Sequence, residues 1–241
     1  MPAIRALFMD LDNTLTNDSE SLRLSLTAIL PRLSQLRPDL TDEEIYQTFR
    51  KVNNRHWENY DESPIAAMTR SVDVRTLIAQ ETLEALGRPN PKLARELAIT
   101  FQASRRNTYI CYDDSIPVLQ KLHGRIPLIL ITNGNSEMQR EKIARCQLAP
   151  YLDAVFIAQE VGASKPSPAI FQKALDSAEK EPQETLMVGD NPDKDIQGAQ
   201  NLGIRTAWMR RGDRSADSSQ VKPDFIIRTL TEILEIIEHH A

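Results

Sequence analysis

Two cysteines, four histidines and eight glycines are all that this chain of 241 residues carries of those types, and each scarcity removes a class of protein. Two cysteines, Cys111 and Cys146, make no disulfide framework at this length and fit a reducing compartment. The histidines, His56, His123, His239 and His240, offer no zinc constellation. Glycine is too sparse for a fibrous protein. With 41% hydrophobic and 26% charged residues, the chain is too apolar and too evenly charged to be disordered. Basic residues are the minority, 29 against 34 acidic, for a net charge of −5, which argues against a general nucleic-acid binder. Long apolar runs are missing too. The purest, residues 126–131, has about a third of the roughly 20 residues that a membrane-spanning helix needs. The first, residues 6–9, is cut by Asp10 and Asp12 and cannot serve as a signal-peptide core. The expectation is a cytoplasmic protein with neither membrane nor nucleic acid among its partners.

What the chain does contain is a series of short apolar runs: residues 4–9, 126–131, 154–158, 185–188, 206–209 and 225–227. Such runs suit strands buried on both faces of a parallel sheet. Helical patterns lie between most of the later ones, at 137–146, 168–178 and 193–202. Strand–helix alternation from about residue 114 onward predicts an α/β fold, a doubly wound parallel sheet with a Rossmann-like core. Leu230, Ile233, Leu234 and Ile237 form the stripe of a closing amphipathic helix.

Residues 17–113 read differently. Leu22, Leu26, Ile29, Leu33 and Leu36 make a helical stripe, with Pro31 placed to kink or split it. Thr41 followed by Glu44 is a capping box opening a second helix, with Ile45, Phe49 and Val52 on one face. Helical patterns continue at 64–86 and 91–109. The chain therefore divides into an α/β core domain, 1–16 and 114–241, and an inserted all-helical domain, 17–113.

The chemistry-bearing residues fall at the ends of the expected strands. Asp10-Leu11-Asp12-Asn13-Thr14 follows the first run, so two carboxylates stand at the carboxyl edge of the sheet, where ligands of such folds bind. Two acids so close are costly unless a cation or proton offsets them. An Asx turn ending a strand is the plainer reading of the same residues. Thr132-Asn133-Gly134 follows the second run, Lys165-Pro166 the third after a loop, and Gly189-Asp190 with Asp195 the fourth. Each cluster taken singly also fits a turn, a surface lysine or a helix N-cap. Four in succession at strand ends assemble a hydroxyl, a lysine and several acids in one crevice, which suits Mg²⁺ and a phosphate.

With these four segments, DLDNTL, ITNGN, SKPSP and VGDNPDKD, in this order, the sequence resembles the haloacid dehalogenase-like hydrolase superfamily. Within it the chain is similar to the phosphatase branch that holds N-acylneuraminate-9-phosphatases and pyrimidine nucleotidases. The resemblance implies that Asp10 is the nucleophile and becomes an aspartyl-phosphate, while Asp12 protonates the leaving oxygen and then activates water. It implies that Thr132 and the Asn133 amide hold the phosphoryl oxygens and that Lys165 neutralises them. Asp10, Asp190 and the Asp12 carbonyl would ligate Mg²⁺, the implied cofactor, with Asp195 behind them orienting Lys165 or metal-bound water. The long stretch between Thr14 and Thr132 leaves room for a helical cap there, and the short one between Thr132 and Lys165 does not.

The implied activity is a Mg²⁺-dependent phosphomonoester phosphatase acting on a small phosphate ester, a sugar phosphate or nucleoside monophosphate, as a monomer or homodimer. The alternatives are a phosphomutase or haloacid dehalogenase of the same fold, or a non-catalytic binding protein. Asp12 disfavours the dehalogenase, which has no leaving alkoxide to protonate. Residues 53–57 are a candidate for substrate contact, although Trp57 also suits an ordinary helical core. Arg23, Arg70, Arg105 and Arg106 are weaker candidates.

Overall fold

The computed structural model describes residues 2–211 and 221–240. After β1 (Ala6–Met9) come α1 (Asp18–Leu26), α2 (Leu30–Leu36), α3 (Asp42–Glu58), α4 (Ser71–Ala85), α5 (Pro91–Arg105) and α6 (Ser115–Leu122). Then follow β2 (Leu128–Thr132), α7 (Ser136–Arg145), β3 (Ala154–Ile157), α8 (Ala158–Val161), α9 (Pro168–Ala178) and β4 (Thr185–Gly189). The chain closes with a π-helical turn (Pro192–Gln197), α10 (Gly198–Gln200), β5 (Arg205–Met209), β6 (Phe225–Ile227) and α11 (Glu232–His239). No helix among the described residues is long and apolar enough to cross a membrane.

Two compact units result, one of Met1–Asn17, Cys111–Asn133 and Cys146–Ala241, the other of Asp18–Ile110 and Gly134–Arg145. In the first, six parallel strands form one sheet in the order β3-β2-β1-β4-β5-β6, the α/β, doubly wound arrangement. Interior position explains composition: all four residues of β1 and all five of β2 and β4 are buried, so no polar face is needed. Alternate side chains go to opposite faces. Ala6, Phe8, Ile129, Ile131 and Met187 pack on Ile170, Phe171, Ala174 and Leu175 of α9. Fully burying a side chain such as Phe8 or Ile131 is worth about 1.5–3 kcal/mol. Strand order reverses between β1 and β4, whose register pairs Met9 with Val188. The crevice at such a reversal, beyond the carboxyl ends of the strands, is where open sheets bind ligands.

The helix expected over 193–202 is corrected. A π-helical turn occupies Pro192–Gln197 and only a short α-helix follows it. Asn191 Oδ1 accepts from the N–H groups of both Asp193 and Lys194, at 3.1 and 2.9 Å, while Asp195 Oδ2 accepts from Asn191 N at 3.0 Å. These side-chain bonds compete with the regular ladder and widen the turn.

The helical unit is built on an apolar cluster that includes Leu26, Leu33, Ile45, Phe49, Ile78, Leu83, Leu97 and Phe101. Pro31 does split the first stripe. It sits in the opening turn of α2, where the missing N–H is tolerated. The unit is larger than the 17–113 insertion because α7 packs with it. Met138 lies against the cluster, Asn135 Nδ2 donates to Met68 O (2.7 Å) and Thr69 O (3.1 Å), and Ser71 N donates to Glu137 Oε2 (2.6 Å).

The capping box of α3 is complete: Glu44 N donates to Thr41 Oγ1 at 3.2 Å, and Thr41 N to Glu44 Oε2 at 2.8 Å. Thr41→Ala removes one half of it. We expect about 1 kcal/mol of lost stability, read as a lower urea midpoint at unchanged slope; an unshifted midpoint would show that the box contributes nothing.

Candidate active site

Every member of this site belongs to the α/β unit. The turn after β1 begins with Asp10, whose N–H donates to Val188 O at 2.9 Å, so the main chain leaves the sheet in register with β4. Asn13 takes a left-handed conformation, φ 60°, which asparagine tolerates better than most residues. Asn13 N donates to Thr16 O, and Leu15 N and Thr16 N both donate to Leu11 O, closing a tight loop that carries Asp12. The carboxylate of Asp12 lies 3.4 Å from Thr16 Oγ1. A turn is therefore present, but Thr14 does not cap it, because its hydroxyl is buried with no hydrogen-bond partner.

Lys165 is the centre of the cluster. It is 3% exposed, and its Nζ donates to Asp10 Oδ1 and to Asp195 Oδ1, each at 2.6 Å. Its main chain is fixed from β2: Lys165 N donates to Asn133 Oδ1 at 2.8 Å, and Asn133 Nδ2 donates to Lys165 O at 2.9 Å. The side-chain amide of Asn133 is thus committed to positioning Lys165. Thr132 ends β2 almost fully buried, its hydroxyl 3.3 Å from Asn133 O.

Asp190 follows β4 and is half-buried, and Trp208 Nε1 donates to its carbonyl at 3.0 Å. Asp195 is 1% exposed, with one carboxylate oxygen on Lys165 and the other on Asn191 N. Gly189 makes this possible, since a Cβ there would stand 2.3 Å from Asp195 Cγ and Oδ2. Gly198 acts similarly one turn on, where a Cβ would meet Phe171 Cε2 at 2.8 Å and Pro166 Cα at 3.0 Å. Sequence reasoning had Gly189 as a close-approach position, but neither Asn133 as the clamp on Lys165 nor Gly198 as its neighbour's support.

Electrostatically the cluster is over-supplied with negative charge. Carboxylate oxygens of Asp10, Asp190 and Asp195 lie within 4.8 Å of one another, and Lys165 is the cation bonded among them. Burial pushes the Asp10 carboxyl up from 3.8 to about 6, the Lys165 charge opposing and the Asp195 charge adding to the rise. Burial also pulls Lys165 down, but Asp10 and Asp195 outweigh it and hold its proton above the usual lysine range. Three converging carboxylates, one of them raised for want of positive charge, are the donor set of a hard divalent cation, so the residues present fit a metal.

The chain matches the model of the haloacid dehalogenase-like hydrolases over residues 4–203. It belongs to that family. It is 30% identical to N-acylneuraminate-9-phosphatase of Mus musculus over 98% of this chain and 94% of that one. It is likewise 30% identical to glyceraldehyde 3-phosphate phosphatase of Methanopyrus kandleri, over 99% of each. In fold it is similar to the magnesium-bound hydrolase YfnB of Bacillus subtilis, with a TM-score of 0.77 at 22% identity over 98% of this chain and 99% of that one. This haloacid dehalogenase-like protein is a hydrolase with phosphatase relatives.

Two outcomes follow from the geometry. Gly189→Ala forces Asp195 away from Lys165 and should cost about 1–3 kcal/mol, measured by urea unfolding; a variant as stable as the parent would mean that Asp195 has room to retreat. The raised Asp10 carboxyl sets a pH dependence. Between its ordinary value of 3.8 and about 6, the folded state binds more protons than the unfolded one, so this group's contribution to stability falls as pH rises through that window. Without divalent metal, Asp10→Asn should melt above the parent at about pH 7.5, with the gap shrinking toward about pH 4. A gap that is constant or grows toward acid pH contradicts the assignment.

Proposed function

We propose that this hydrolase is a Mg²⁺-dependent phosphomonoester phosphatase working through an aspartyl-phosphate on Asp10. The observation that carries the reading is the buried Lys165 ammonium bonded to both Asp10 and Asp195 while Asp190 converges on the same point. A carboxylate attacking an anionic phosphoester meets charge repulsion. Bound Mg²⁺, held by Asp10, Asp190 and the Asp12 carbonyl, supplies the positive charge that Lys165 alone does not.

The chain's own groups divide the remaining work. Asp10 attacks phosphorus, and the bond from phosphorus to the ester oxygen breaks. Asp12 gives its proton to that departing oxygen, then takes one from the water that attacks the phosphorylated Asp10. Inorganic phosphate leaves and both carboxylates return to their starting states. Thr132 and the backbone N–H of Asn133 hold the transferring oxygens, and Lys165 balances their charge. Asp195 keeps Lys165 aimed. The substrate is a small phosphorylated metabolite, in keeping with relatives named for N-acylneuraminate 9-phosphate and glyceraldehyde 3-phosphate. We read the helical unit as the cap domain that selects among such esters.

The test is turnover of p-nitrophenyl phosphate and a sugar phosphate over a Mg²⁺ titration. Asp10→Asn should lose on the order of 10³ or more, and Asp12→Asn should lose more with the sugar alkoxide than with p-nitrophenol. Asp190→Asn should raise the Mg²⁺ needed for half-activation, whereas Asp195→Asn should lower turnover even at saturating Mg²⁺. Activity without divalent metal, or retained by Asp10→Asn, would refute the proposal.

A further inference from the structure

We infer that the helical unit carries a pocket for a small aliphatic carboxylate, with the Arg75 guanidinium as its anchor and Asn53 as a second donor. The pocket lies wholly within that unit. Ile29, Phe49, Leu97 and Met138 supply apolar wall, and Asn53, Trp57 and Arg75 line it with them.

Arg75 is anomalous among the arginines here. It is 5% exposed, and its Nε and Nη2 atoms are buried with no hydrogen-bond partner. An unpaired buried guanidinium is costly. The Phe101 ring, its centroid 5.0 Å from Arg75 Cζ, covers one face of the cation but satisfies none of its in-plane N–H groups. Nearby acids do not fill the gap either. Asp18 is bonded to Arg105 and, at 2.9 Å, to Lys142 Nζ, while Glu141 is bonded to Arg106 Nε at 2.5 Å. Burial accordingly draws Arg75 down to about 10.

The two orphaned nitrogens define the ligand. Nε and Nη2 share one edge of the guanidinium, the fork that matches a carboxylate's two oxygens. The same edge is used twice elsewhere in this chain: Arg23 holds Glu20 through Nε (2.8 Å) and Nη2 (2.7 Å), and Arg37 holds Asp39 through Nε (2.8 Å) and Nη2 (2.6 Å). Asn53 accepts the Trp57 indole N–H at 3.1 Å, and its Nδ2 has only a 3.5 Å contact with Asn54, so it retains donor capacity toward the pocket. Apolar walls favour a monoanion with a hydrocarbon body, because a dianionic phosphate would lose more hydration than one guanidinium restores. Met138, unbranched and flexible, is the wall able to yield to an entering ligand.

The experiment is calorimetric titration and thermal melting of the full chain with isobutyrate, using isobutyramide as the neutral isostere. Isobutyrate should bind one to one and raise the melting temperature with concentration, and isobutyramide should do neither. Arg75→Met should abolish the response while melting no lower than the parent, since the buried charge it removes has no partner. Asn53→Leu, which leaves the cation in place, should weaken binding several-fold. Equal responses to acid and amide, absence of binding by isobutyrate, or binding that survives in Arg75→Met would each overturn the proposal. If Arg75→Met does not fold, the arginine has a structural partner and the proposal likewise fails.

Discussion

A lysine ammonium cannot be buried among main-chain groups without anions on it, and Lys165 has two, one at the end of β1 and one in the π-helical turn after β4. Much of the α/β unit is arranged to bring those anions to it. Asn133 at the end of β2 grips the lysine's main chain from both sides. Gly189 leaves space for the Asp195 side chain, and Gly198 lets Pro166 and Phe171 close in behind. Asn191 caps the turn that carries Asp195 and receives that side chain's second oxygen in return. Residues from four separated stretches thus hold one another in place, so none of them is interchangeable even where it touches no substrate.

The same arrangement explains why the site is reactive rather than merely stable. One ammonium does not offset the carboxylates around it, and the deficit falls on Asp10, whose proton affinity is raised by burial. A group that is uncomfortable as an anion in the resting fold gains most from a divalent cation and from transfer of its negative charge into a covalent bond. Asp195, with both oxygens already bonded, has less to gain and serves to orient.

The helical unit follows another logic. Its stability comes from an apolar cluster, and its buried polar groups are tied off: His56 between Ser63 Oγ (2.6 Å) and Glu81 Oε2 (2.7 Å), Asn135 on the carbonyls of residues 68 and 69. Arg75 departs from that pattern. The arginines that stood out in the sequence, Arg23, Arg105 and Arg106, are each paired with an acid, whereas Arg75, on a helix whose neighbours give no hint of it, is the one left with bare donors in an apolar wall.

Short apolar runs ending in Asp, Thr or Gly marked the strands and the catalytic edge, because a strand buried on both faces must be apolar and must shed its polar residues at its ends. Local chemistry likewise made the Thr41 capping box and the Pro31 break legible, since both are decided within a few residues of themselves. What could not be read was whatever depends on partners remote in the chain. The pattern at 193–202 has helical periodicity, but Asn191 and Asp195 bond back on the main chain and widen it into a π turn. The segment 134–145 looked like an ordinary crossover helix, yet Met138, Asn135 and Glu137 bind it to the helical unit. Sequence placed Lys165 and Asp195 at strand ends; only the folded sheet set both acids 2.6 Å from one ammonium, because burial and charge pairing are properties of the assembled tertiary structure and leave no local pattern in the residues that share them.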